Sequence, residues 1–119
     1  MSRYQIRGTL LILPVLELSD LWRLQQIADH VLKDIVTHRV RAVIFNFSDV
    51  AAVNTSVASQ LALMINAYQH LGVTVVAVNL SPIIENVLIK AGLIIDDVIR
   101  AADLEAGVEK AGQGRSAQR

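Results

Sequence analysis

The 119-residue chain contains no cysteine, which excludes a disulfide framework and any thiolate metal site. Aromatic residues are scarce, at 4%, and 11 basic side chains are balanced by 11 acidic ones. The resulting formal net charge of zero supplies no electrostatic drive toward nucleic acid. The longest apolar run, Leu10 to Leu16, contains Pro14 and falls far short of the ~20 residues a membrane span needs. The stretch from Met1 to Arg7 lacks the apolar core and small-residue cleavage site of a signal peptide. A soluble, cytoplasmic protein with no direct membrane insertion is therefore expected. What the chain has in excess is aliphatic carbon, since 53% of it is hydrophobic despite the few aromatics. That composition excludes intrinsic disorder, and the length fits one domain with a substantial core. It implies either strands buried on both faces or apolar surface kept for partners.

Periodicity divides the chain. Tyr4 to Arg7 alternates like an edge strand, and Leu10-Leu11-Ile12-Leu13 reads as a strand buried on both faces. From Ser19 the spacing turns helical. Leu24, Ala28, Val31 and Ile35 recur on one stripe, Ile27 and Leu32 widen it, and Ser19 or Asp20 can cap the start. Ala42 to Phe47 predicts a second buried strand. Val57, Leu61, Met64, Ile65 and Tyr68 mark a helix stopping at Gly72, where glycine relieves the left-handed cap. Val73 to Leu80 predicts a third buried strand. Ser81-Pro82 opens another helix, with Ser81 as its cap and Pro82 in the first turn. That helix ends at Gly92, and a short helix starts from Asp103 and ends before Gly112. Residues 112–119 are polar and glycine-rich and predict a disordered tail after a domain of residues 1–111. Alternating strands and helices predict one α/β domain with a mostly parallel central sheet and helices packed on it.

A search for catalytic chemistry is nearly empty. The sequence has no GxxxxGK, GxGxxG, GxSxG or HExxH motif. His30, His38 and His70 share no ligand spacing and read as surface or boundary histidines, so no metal and no cofactor is expected. Asp96 and Asp97 are adjacent, which points them apart on a helix or strand, and they read as capping or solvated charge. His38, Arg39 and Arg41 read as a solvated basic loop that could meet an acidic partner. Trp22, off the apolar stripe, serves either as an interface side chain or as packing at the edge of the core.

Asn54-Thr55-Ser56-Val57-Ala58-Ser59 carries the most information. Asn, Ser and Thr cap helix N-termini, so capping alone accounts for them. The same geometry suits a switch. A helix N-terminus presents free N–H groups and a positive dipole end. A hydroxyl there can accept a phosphate, and the added ~1.5–2 negative charges change which partners fit the surface.

The chain from Ile6 to about Lys110 resembles the STAS domain family of anti-sigma-factor antagonists. The resemblance rests on Val43 to Val50, on Val53-Asn54-Thr55, on Leu71-Gly72 with the strand after it, on Leu80-Ser81-Pro82, and on Leu88-Ile89-Lys90-Ala91-Gly92-Leu93. Val53-Asn54-Thr55-Ser56-Val57-Ala58 is closest to the stressosome scaffold branch, that of RsbS and the C-terminal domains of RsbR. Leu10-Leu11-Ile12 leading to Glu17-Leu18-Ser19-Asp20 resembles the start of its small single-domain members. In the family the residue after the motif acid is phosphorylated by a partner kinase, which implies Thr55 here, with Ser56 as second candidate. Asn54, Ser59, Asn46 and Asp49 would complete the switch region. Asn46 and Asn54 stand where the family usually carries aspartates, and Val57 where the simple antagonists carry glycine. The resemblance implies a non-enzymatic scaffold and signalling protein in a homo- or hetero-oligomer. It would bind RsbR-like STAS proteins and hold an RsbT-like Ser/Thr kinase. A simple antagonist in a partner-switching pathway and a STAS subunit of a membrane transporter complex are the alternatives.

Overall fold

The computed structural model describes residues 4–18 and 20–113. Strands β1 (Gln5–Arg7), β2 (Leu10–Pro14), β3 (Ala42–Asn46), β4 (Thr74–Val78) and β5 (Ile99–Ala101) form one sheet in that order. β1 runs antiparallel to β2, and every other pairing is parallel. A 3-10 turn over Val15–Leu18 leads into α1 (Leu21–Thr37). Helices α2 (Thr55–His70), α3 (Pro82–Lys90) and α4 (Leu104–Gln113) follow β3, β4 and β5.

The register explains the aliphatic excess. Leu11, Leu13, Val43, Phe45, Val75 and Ala77 point to the face packed with the buried stripes of α1, α2 and α3. The intervening Ile12, Ile44, Val76 and Val78 point to the other face, where α4 lies. Strands covered on both faces need apolar residues at successive positions, as parallel sheets do. α4 approaches β4 closely because residue 107 is glycine. A Cβ there would lie 2.5 Å from Val78 Cγ2.

Parallel pairing also sets where function can gather. Pro14 is level with Asn46, Asn46 with Val78, and Val78 with Ala101, so the strands end along one edge. α1, α2 and α3 all begin there, as expected for the ligand- and partner-facing edge of an α/β sheet.

Several expectations change in detail. Asp20 caps α1 by accepting from the Trp22 N–H, and Ser19 lies outside the described residues. Leu32, assigned to the buried stripe, is 44% exposed and faces outward beside α2. It lies one residue round the helix from the fully buried Val31, on the flank that the sheet does not cover. The segment before the last helix is a fifth strand, too short for periodicity to reveal. Gly112 and Gln113, expected in the tail, close α4, and residues 114–119 of that tail lie outside the described residues. No helix among the described residues is long and apolar enough to cross a membrane.

Candidate functional site

The loop between β3 and α2 begins with an asparagine clasp. Asn46, half-buried at the end of β3, accepts two hydrogen bonds through Oδ1, from the Ser48 N–H (3.0 Å) and the Ser48 hydroxyl (2.6 Å). The Asn79 side-chain amide donates to Ser48 Oγ at 2.8 Å. Asn79 follows β4 with φ of 57°, and Asp49 follows the clasp with φ of 65°. Both occupy the left-handed region that Asn and Asp tolerate better than other side chains. The Phe47 N–H donates to Val78 O (2.8 Å) and buries its ring, so the first turn of the loop is pinned to β4.

The loop ends at Asn54. Its backbone is extended, its Oδ1 accepts from the Val57 N–H at 2.8 Å, and its carbonyl accepts from Ala58 N–H at 2.9 Å. Those two bonds use the third and fourth N–H groups of α2. The N–H groups of Thr55 and Ser56, the first and second, have no acceptor among the described residues. Thr55, Ser56 and Ser59 are all exposed, while Val57 and Ala58 anchor the turn in the core. Asn54 does the capping, and Thr55 is left to solvent at the positive end of the helix.

Asn46 and Asn54, where the resemblance implies aspartates, share one physical trait. Asn46 and Asn54 both act through Oδ1 as acceptors, which an amide does as well as a carboxylate. Neither side chain brings a charge to the turn. Between Ala42 and Ile84 the only formally charged side chain is Asp49.

A cleft of about 130 Å³ opens beside this turn, between Val15, Leu16 and Leu18 of the 3-10 turn and Val50, Val53, Asn54 and Val57. Leu16 is exposed at its rim. Trp22, 66% exposed in the first turn of α1, also sits at the sheet edge where α2 begins. Ser48, Asn79 and the 3-10 turn were not singled out by motif. The available signal was an Asn at the end of each of two neighbouring strands, β3 and β4.

The remaining candidates lie apart from this edge. Among the described residues no three His, Asp or Glu side chains gather as a metal site. His38 stands 3.5 Å from Asp34, which also accepts from the Tyr4 hydroxyl. Asp96 and Asp97 are both solvated in the turn before β5. Burial raises the phenol pKa of both Tyr4 and Tyr68, with the Asp34 hydrogen bond adding to it at Tyr4.

Comparison with known proteins places this geometry. The family model described as the STAS domain matches residues 2–111. No curated protein matches the sequence. Among solved structures, a serine-to-glutamate variant of RsbS from Moorella thermoacetica is 19% identical and aligns with a TM-score of 0.82, covering 99% of this chain and all of that one. A chain from a structure of the molecular architecture of the stressosome, a signal integration and transduction hub, is 18% identical with a TM-score of 0.78, over 92% of this chain and 96% of that one. The Bacillus cell-fate determinant SpoIIAA, in its phosphorylated form, is 16% identical with a TM-score of 0.61, over 90% and 97% of the two chains.

Proposed function

We propose that this chain, which belongs to the STAS domain family, is a signalling scaffold of the stressosome type that works by binding other proteins and not by turning over a substrate. Its partners are RsbR-like STAS proteins, with which it assembles, and an RsbT-like Ser/Thr kinase, which it holds in the cytoplasm until Thr55 is phosphorylated. The observation that carries this reading is the division of labour at α2, where Asn54 closes the cap and leaves the exposed Thr55 beside two N–H groups without acceptors. A phosphate on Thr55 can take those N–H groups and the helix dipole without disturbing the fold.

The same site explains how the signal would be read. The cleft at Val50, Val53 and Asn54 shares its wall with the cap, so a partner seated there meets the new charge directly. Fold likeness to RsbS and to a stressosome chain supports the scaffold reading, and likeness to SpoIIAA in its phosphorylated form supports a phosphate in this fold. The last likeness also favours a second reading, a simple anti-sigma-factor antagonist. Native mass spectrometry of the chain mixed with an RsbR-like STAS protein separates the two. A large mixed particle is the expected result; a chain that binds only an anti-sigma kinase, one to one, would leave the antagonist reading.

A further inference from the structure

The two edges of the sheet are finished differently. At β5 the Asn79 N–H donates to the Ala101 carbonyl, so the Arg100 carbonyl points away from β4. The Lys110 ammonium donates to that carbonyl at 2.8 Å, and Glu85 holds the Arg100 guanidinium at 2.6 Å. A lysine laid on an edge strand obstructs the pairing of a further strand. β1 has no such cover. Its two-residue turn, Gly8-Thr9, makes Arg7 and Leu10 a hydrogen-bonded pair, and Gln5 and Ile12 the next one. The N–H and C=O of Ile6, between those pairs, face outward, and neither has a hydrogen-bond partner among the described residues.

The surroundings of that edge are cationic. Arg7 is exposed at the end of the sheet opposite Thr55, and the connection from α1 to β3 brings the exposed Arg39 and Arg41 to the same end. The backbone fixes this connection. The Arg41 N–H donates to the Thr9 carbonyl (2.7 Å), the Arg41 carbonyl accepts from the Thr74 N–H (2.9 Å), and Val40 is buried. Leu10 is level with both Arg7 and Ala42, so Arg41 lies about 10 Å from Arg7, two strand spacings across the sheet. Among the described residues none of the three arginines makes an ion pair, and Arg7 reaches only the Gln5 side chain, at 3.1 Å. Asp34, the acid nearest Arg39 along the chain, already accepts from the Tyr4 hydroxyl and stands 3.5 Å from His38.

We infer that the outer edge of β1 is a docking site for an acidic, extended segment of another protein, which joins the sheet as a sixth strand. Two independent observations select that occupant. The outward backbone groups of Ile6 are complementary to a strand, the commonest way a peptide uses an open sheet edge. The three arginines without counter-ions are complementary to carboxylates, and charge complementarity sets both partner choice and encounter rate. The pleat gives the pattern of the segment. A residue level with Ile6 packs beside it on the face that α1 covers, and its two neighbours fall on the other face, where Gln5 and Arg7 lie. An aliphatic residue between two carboxylates fits that alternation, and a segment running on past the turn comes under Arg41. The site is at the far end of the sheet from Thr55, so it stands independently of the scaffold reading.

The test is an amide NMR titration of the full nitrogen-15-labelled chain with a blocked peptide, Glu-Val-Glu-Val-Glu-Val, at up to about 1 mM. The expected result is saturable shifts at Ile6, Arg7 and Arg41, with exchange of the Ile6 amide slowed at least about tenfold. Added salt should weaken binding. Arg7→Glu, at an exposed position, should raise Kd by at least about fivefold. Ile6→Pro, which deletes the outward N–H at an edge where proline is tolerated, should abolish binding. Circular dichroism checks that both variants are folded. Two control peptides separate the contributions: Glu-Pro-Glu-Pro-Glu-Pro keeps the charge and cannot pair as a strand, and Lys-Val-Lys-Val-Lys-Val keeps the strand and reverses the charge. Neither should bind. No shift at the highest concentration would overturn the inference, as would equal binding of either control or a folded Arg7→Glu that binds normally. So would an Ile6 edge already occupied by a second copy of the chain before peptide is added.

Discussion

The side-chain amide of Asn79 donates to Ser48 Oγ at 2.8 Å and joins the ends of β3 and β4 across 31 residues of chain. Ser48 in turn donates to Asn46, so one hydroxyl bonds to both strand ends at the sheet edge where α2 begins. The consequence is a loop whose start is fixed before the Thr55 turn is reached. On the proposed reading, a charge added at Thr55 would act beside a loop whose first turn is held in place.

Ser48→Ala removes both side-chain bonds and leaves the Asn46 and Asn79 side chains short of a partner. The expected loss is about 1–2 kcal/mol, seen as a lower urea midpoint with unchanged slope. Hydrogen exchange at residues 47–54 should accelerate more than exchange in β3 itself.

Asn54 offers a cleaner separation of cap from charge. Asn54→Ala should cost about 1 kcal/mol by releasing the Val57 N–H. Asn54→Asp keeps the acceptor and should be more stable than wild type by about 0.3–1 kcal/mol near neutral pH, through the helix dipole. Thermal unfolding of the three chains at low salt gives the ranking, which is expected to compress as salt is added.

How far the sequence could be read divides along physical lines. The layers were legible because β2, β3 and β4 are continuous aliphatic runs and α1 and α2 repeat at helical spacing, so composition alone encoded burial. The start of α2 was legible because Asn, Ser and Thr gather where a helix begins, and Asn54 is its cap. The Ser48–Asn79 bond was not legible, since it joins residues far apart in sequence and depends on two left-handed turns. Leu32 was misplaced for a related reason. Periodicity gives the angle of a side chain around its own helix, but not where the neighbouring helix stops covering it.

Tyr68 is 2% exposed and its hydroxyl has no hydrogen-bond partner among the described residues. Its raised pKa, from burial first and then from the nearby Tyr4 and Asp29, means the fold favours the neutral phenol. That contribution is present below the unfolded value of 10.0 and is lost as pH rises from there toward the higher folded value. Tyr68→Phe should therefore leave stability at pH 7 unchanged or raise it by up to about 1 kcal/mol. Denaturant melts above pH 10 should show a shallower decline for the variant than for the wild type.

Gly107→Ala sets two effects against each other. Alanine gains up to about 1 kcal/mol of helix propensity, yet its Cβ would lie 2.5 Å from Val78 Cγ2. Val78 is fully buried and cannot yield easily, so overpacking of about 1–3 kcal/mol should prevail. Adding Val78→Ala should recover part of the loss, and a thermal double-mutant cycle would show coupling between the two positions.

The central claim, that the Thr55 turn is a phosphate switch on a scaffold, is tested most directly by one measurement. The intact chain is incubated with magnesium ATP and an RsbT-like kinase, and phosphate is mapped by tandem mass spectrometry. The account predicts phosphate on Thr55, abolished by Thr55→Ala and accompanied by release of the kinase. A chain that takes no phosphate at Thr55 or Ser56, or that keeps its kinase when fully phosphorylated, would contradict it.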